Sequence, residues 1–95
     1  MKGYVVCVYQ SINDENALKE YAVKAKVAVE KYEGNFLVRD GKKITTEGKE
    51  SPRTVVIEFS SFEVAEKFFY SDEYQKAHSI LQGKVIRHHQ IIQGS

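Results

Sequence analysis

Apolar positions recur along this chain in two rhythms, and the changes between them mark out its elements. Residues 3–10 (GYVVCVYQ) are β-branched or aromatic on both alternating faces and predict a strand. Asn13 then stands where a helix cap is wanted, with Asp14 and Glu15 suited to the positive end of the helix dipole. Leu18, Tyr21, Ala22, Ala25, Ala28, Val29 and Tyr32 follow at spacings of three and four, while most lysines fall off that stripe. This is an amphipathic helix with one buried side, and Gly34 is placed for a left-handed C-terminal cap.

Residues 35–39 predict a second strand. Asp40-Gly41 predicts a tight hairpin turn, with residues 42–45 returning beside that strand before a polar loop over 46–52. Residues 53–59 (RTVVIEF) predict a third main strand, again apolar on both sides. Ser60-Ser61-Phe62-Glu63 reads as a capping box, followed by the apolar stripe Phe62, Ala65, Phe68 and Phe69. A short third helix starts at Ser71-Asp72-Glu73 and ends near Gly83, and residues 85–93 form the last strand. The order is βαββαβ with an extra hairpin and a short third helix. Right-handed crossovers then give an α+β, ferredoxin-like antiparallel sheet with the helices on one face.

Strand composition adds an expectation about assembly. Tyr4, Val6 and Val8 alternate with Val5, Cys7 and Tyr9, and Thr54, Val56 and Glu58 alternate with Val55, Ile57 and Phe59. Helices cover only one side of such a sheet. The other would be an apolar patch larger than monomers usually expose, and a second copy stacking its sheet there predicts a homodimer.

Length, charge and cysteine usage narrow the classes. Ninety-five residues suit a single domain spanning 1–95. A net charge of +1 gives no long-range pull toward nucleic acid or a membrane surface, so neither is expected as a partner. The longest apolar run, residues 4–9, is too short for a membrane span or a signal peptide core. Cys7 is the only cysteine, which excludes an internal disulfide and a CxxC metal site. The expectation is a reduced, cytoplasmic protein that uses no cofactor. RNA-recognition modules share the topology but need projecting aromatics on the third strand, where only the terminal Phe59 is found.

Several pieces taken together resemble a known family. The opening GYVV, the junction KYEGNFLVR (31–39), Glu47-Gly48, VVIEFSS (55–61) and YSDEYQ (70–75) occur in the order found in the domain-of-unknown-function family 1330, of the dimeric α+β barrel superfamily. The resemblance spans nearly the whole chain. It implies a ferredoxin-like subunit whose sheet packs on a partner's sheet, with a small pocket between sheet and helices. It also implies kinship with cofactor-free quinone-forming monooxygenases, muconolactone isomerases and stress-related binding proteins. The chain departs from the family pattern twice. Residues 76–81 read KAHSIL where a proline and an arginine are common, and the usual double glycine is Glu33-Gly34.

Candidate chemistry follows from residues that break the apolar pattern. Glu58 interrupts a strand, and a carboxylate desolvated there could act as a general base. The competing reading is an ion pair with Arg39 or Arg53. Arg39 alternates with Leu37 and Asn35 and could bind a ligand carboxylate in two-pronged fashion, or could simply sit at a sheet edge. His88 and His89 point to opposite sides of one strand, so they cannot share a metal ion; a single histidine such as His78 is a better acid or base. Tyr9, Phe68 and Tyr74, with Tyr32 and Phe69, can line an aromatic ligand pocket or serve only as core. Two functions remain open. One is a binding protein for a small apolar or aromatic carboxylate. The other is a cofactor-free monooxygenase or isomerase with Glu58 or a histidine as base and Arg39 orienting the substrate.

Overall fold

In the computed structural model, which describes residues 1–95, the elements run β1 (Gly3–Ile12), α1 (Glu15–Lys31), β2 (Asn35–Arg39), β3 (Thr54–Phe59), α2 (Phe62–Tyr70), α3 (Asp72–Ile80) and β4 (Val85–Gln93). The strands form one antiparallel sheet in the order β2-β3-β1-β4. This is the ferredoxin-like arrangement that the hydrophobic pattern predicts. No helix is long and apolar enough to cross a membrane.

Alternation decides what each face of the sheet does. β1 buries Val5, Cys7 and Tyr9 and leaves Tyr4, Val6 and Val8 half-covered. β3 buries Val55, Ile57 and Phe59 and leaves Thr54, Val56 and Glu58 half-covered. The buried set meets Leu18, Tyr21, Ala25, Ala28 and Val29 of α1, Ala65 and Phe68 of α2, and Tyr74 and Ala77 of α3 in one core. Phe68 is its centre, with ring centroids 4.9 Å from Phe59 and 4.6 Å from Tyr74. All three helices therefore lie on one side. On the open side Val38, Ile86 and Ile92 are 42%, 57% and 49% exposed.

Local chemistry moves some boundaries by a residue. The cap of α1 is Asp14, not Asn13: the Asn13 N–H donates to the Lys84 carbonyl at 2.8 Å, and the Asp14 carboxylate accepts from Ala17 N at 2.9 Å. The left-handed residue after α1 is Glu33, with φ 57°, rather than Gly34. Gly34 is needed for another reason. A Cβ there would lie 2.7 Å from Phe59 Cε1 and 2.8 Å from Val29 Cγ1, so the absence of a side chain lets this turn close onto the core. Ser71 serves two helices, donating to the Phe68 carbonyl of α2 and accepting from Tyr74 N of α3.

The expected extra hairpin at Asp40-Gly41 does not form, and residues 42–45 make no strand. Asp40 has φ 53°, but Gly41 lacks the positive φ that the tight turn also requires. The Asp40 N–H donates to the Thr54 carbonyl at 2.8 Å and its carboxylate accepts from Thr54 N at 3.3 Å. β2 is thereby locked to β3, and residues 40–53 become one long loop between them.

Candidate functional site

A cleft lies between α1 and the sheet, lined mostly by apolar side chains. Its interior volume is about 30 Å³, enough for roughly two waters, and the whole concavity with its open mouth is about 460 Å³. The sequence contains three arginines, Arg39, Arg53 and Arg87, and all three line this cleft. No aspartate or glutamate does. The ion pairs of the protein all use lysine: Lys2 with Glu58, Lys24 with Glu20, Lys31 with Glu73, Lys43 with Asp40 and Lys84 with Asp14. Three guanidinium charges thus converge on one concavity whose lining holds no carboxylate, although Asp40, outside that lining, is lowered by Lys43 and in part by Arg53.

Each arginine arrives by a different device. β2 carries a bulge between Phe36 and Val38, where Leu37 is extra. Asn35 opposes Glu58 on the open face, yet Arg39 opposes Val55 on the helix face, because the bulge changes the phase of the strand. The Arg39 guanidinium lies 4.4 Å from the Phe36 ring centroid. Arg53 precedes β3, held by its carbonyl, which accepts from Tyr9 N at 2.9 Å and from the Ser51 hydroxyl at 2.8 Å. Its Nε is buried and has no hydrogen-bond partner. Arg87 opposes Tyr9 across the β1–β4 ladder. Exposed Arg39 and half-buried Arg53 mark the mouth, while Arg87 reaches the interior.

Arg87 is surrounded by phenols. Its Nη1 donates to Tyr9 Oη at 3.1 Å and Tyr21 Oη at 3.3 Å, and lies 3.5 Å from Cys7 Sγ; its Nη2 donates to Tyr74 Oη at 3.0 Å. Burial works against this charge, but the ring of phenols and the thiol outweighs it and holds Arg87 above its ordinary value. Desolvation raises Tyr9 to about 12 and also raises Tyr21, Tyr74 and Cys7, against the opposing pull of Arg87. His89, across the cleft floor, is lowered to about 3, first by burial and then by Arg87 and the other histidines. At neutral pH the site therefore holds fixed positive charge and protonated phenols, with no competent base.

The structure gathers Arg39, Tyr9, Phe68 and Tyr74 into the wall of this one cleft. It does not bring Glu58 to them. Glu58 faces the open side, where Tyr4 Oη donates to it at 3.2 Å and Lys2 Nζ lies 3.9 Å away, so the pairing expected with Arg39 or Arg53 is replaced. It borders a separate shallow groove with Lys31, Tyr32 and Asn35. His78 lies on α3 beside a depression shared with Leu81, Val85 and Arg87, and burial lowers its pKa. Arg87 and Tyr21 are cleft residues that the sequence does not single out as functional, Tyr21 being read only as part of the apolar stripe of α1. Arg87 alternates with Val85, His89 and Ile91 on one face of β4, but Ile86 and Ile92 make the other face equally apolar. Only the register with β1 separates the two.

A family profile described as "Domain of unknown function (DUF1330)" matches residues 2–95. No curated protein matches the chain. Among solved structures, a protein of unknown function from Rhodopseudomonas palustris is similar at a TM-score of 0.81 and 10% identity, over 99% of this chain and 82% of that one. A dimeric ferredoxin-like protein of unknown function from Jannaschia is similar at 0.67 and 9% identity, over 99% and 100% of the two chains. A dimeric protein with ferredoxin-like fold from Bacteroides fragilis is similar at 0.58 and 14% identity, over 98% and 96%. At such identities these likenesses concern the fold.

Proposed function

The chain belongs to the DUF1330 family of domains of unknown function, and from that premise we propose that it works as a homodimer binding a small apolar or aromatic carboxylate in the cleft between α1 and the sheet. The observation that carries this reading is the convergence of all three arginines on an apolar concavity with no acidic residue in its lining. Unbalanced buried charge is expensive, and an anionic ligand balances it. Arg53 supplies the clearest receptor, because its buried Nε–H has no acceptor and a guanidinium fork matches a carboxylate. Arg39, stacked on Phe36, adds charge at the mouth, and Tyr9, Phe68 and Tyr74 supply apolar and aromatic wall.

A binding role is favoured over acid–base catalysis in this cleft. Proton abstraction needs a base matched to neutral pH, whereas His89 titrates near 3 and the phenols and thiol are all raised. Glu58 or His78 could serve an enzymatic alternative only with the substrate seated on the open face or by α3.

The homodimer is supported by the open sheet face, where Val56 sits at the centre opposite Val6 and Val38, and by the two dimeric relatives in fold. A lone, buried Cys7 suits a reducing cytoplasm.

Calorimetric titration with benzoate tests the site. Measurable binding is expected, weakened at least tenfold by Arg53→Gln and unchanged by Glu58→Gln. Absence of binding by benzoate and longer aromatic acids, or indifference to Arg53→Gln, overturns the reading. A monomeric mass by light scattering overturns the dimer.

A further inference from the structure

Buried donors and acceptors must be matched, and matching them around Arg87 says something about the far end of the ligand. Arg87 donates to Tyr9, Tyr21 and Tyr74, so each phenol oxygen already accepts and each has one proton left to place. Tyr21 and Tyr74 are 2.8 Å apart, and Tyr74 Oη is 3.5 Å from His89 Nε2. One arrangement leaves neither hydroxyl proton idle: Tyr21 donates to Tyr74, and Tyr74 donates to an unprotonated His89 Nε2. In the reverse arrangement Tyr21 would be left with a buried proton and no acceptor. Tyr9 stands outside this chain. It is 2% exposed, and no oxygen or nitrogen acceptor for its proton lies within reach; the only neighbour is the sulfur of Cys7, a poor acceptor.

The interior of the cleft therefore offers one uncommitted O–H beside one uncompensated guanidinium. Both favour the same thing, an oxygen atom carrying negative charge. Neither has a nearby base that could take up a proton.

We propose that the inner end of the cleft is an oxyanion site, where Tyr9 donates to and Arg87 stabilises an ionised hydroxyl of the ligand, a phenolate or enolate. This rests on the ligand reading above and deepens it: the ligand class is a hydroxy-substituted aromatic or unsaturated carboxylic acid, its hydroxyl oxygen entering the two-water interior and its ring lying in the open mouth with the carboxylate toward Arg53 and Arg39. On binding, the ligand hydroxyl loses its proton to solvent and no other bond changes. Tyr9 remains a donor throughout, since desolvation raises it to about 12.

The test uses 4-hydroxy-3-nitrobenzoate, whose phenolate absorbs visible light and whose carboxylate is separately ionised. Its phenol pKa is titrated spectrophotometrically, free and with saturating protein. A downward shift of about one unit is expected, equivalent to tenfold tighter binding of the phenolate than of the phenol. Tyr9→Phe should reduce that shift and Arg87→Met abolish it, with circular dichroism confirming that each variant is folded. Arg87→Lys, which keeps the charge, should retain part of it. Arg53→Gln should weaken binding while leaving the shift of the bound fraction intact. Binding with an unshifted pKa, or a shift indifferent to both Tyr9→Phe and Arg87→Met, overturns the oxyanion site and leaves the carboxylate reading standing. No binding of either benzoate or the nitrophenol overturns both.

Discussion

His89 makes the stability of this protein depend on pH in a direction and window that the structure sets. Its imidazole is held near 3 in the fold, against 6.5 when exposed, because burial and the Arg87 charge oppose protonation. The unfolded chain therefore binds a proton that the folded chain refuses, and stability rises with pH. The effect is absent above the unfolded value, grows as pH falls through 6.5, and levels off below 3. Between pH 7 and pH 5 the loss is about 2 kcal/mol, and the full span to low pH is about 5 kcal/mol. Carboxylates interfere little in the upper part of that window, because Asp40 and Glu73 are lowered from 3.8 and 4.5 and lose their contribution only below those values. His78 is lowered too and adds in the same direction, so a His78→Gln background isolates His89. Urea unfolding followed by far-ultraviolet circular dichroism, at fixed protein concentration, measures the difference. His89→Gln, which retains an acceptor for Tyr74, should remove most of the change between pH 7 and pH 5. A wild-type stability that is flat over that range, or an undiminished slope in His89→Gln, would refute the burial argument.

Other consequences are simpler to measure. Gly34→Ala should cost about 1–3 kcal/mol in urea unfolding, because the added methyl meets the Phe59 ring and Val29 below van der Waals distance. Ser71→Ala should cost about 1–2 kcal/mol, since one hydroxyl serves both the end of α2 and the start of α3. Val56→Glu, at the centre of the open sheet face, should shift the light-scattering mass to that of a monomer with the far-ultraviolet spectrum preserved. A dimer that survives this change would place the interface elsewhere.

Much of the fold was legible because strand and helix periods are local properties. The alternation in residues 4–9 and 54–59 correctly separated a helix-facing set from an open-face set. The cap at Ser71 was legible for the same reason, while the capping box read from Ser60 is displaced by one residue, because Ser61 is the side chain that accepts from Val64 N. What sequence could not supply was the relation between strands. Arg39 and Glu58 both looked able to enter the helix–sheet space, yet the β2 bulge and the β3 phase put them on opposite faces. Arg87 lies on a strand apolar on both sides, so its direction waited on pairing with β1. The hairpin at Asp40-Gly41 failed because a longer-range partner, Thr54, claimed the Asp40 backbone and side chain.

The bulge at Leu37 acts on parity. Whether a β2 residue belongs to the proposed ligand cleft or to the open face depends on an odd or even count along the strand, and the bulge takes one residue out of that count. Substitution at Leu37 leaves the count alone. Deleting it would leave Phe36, Val38 and Arg39 opposite Ile57, Val56 and Val55, whereas drawing Leu37 into regular pairing opposite Val56 would turn Val38 into the cleft and hand the Arg39 charge to the proposed subunit interface.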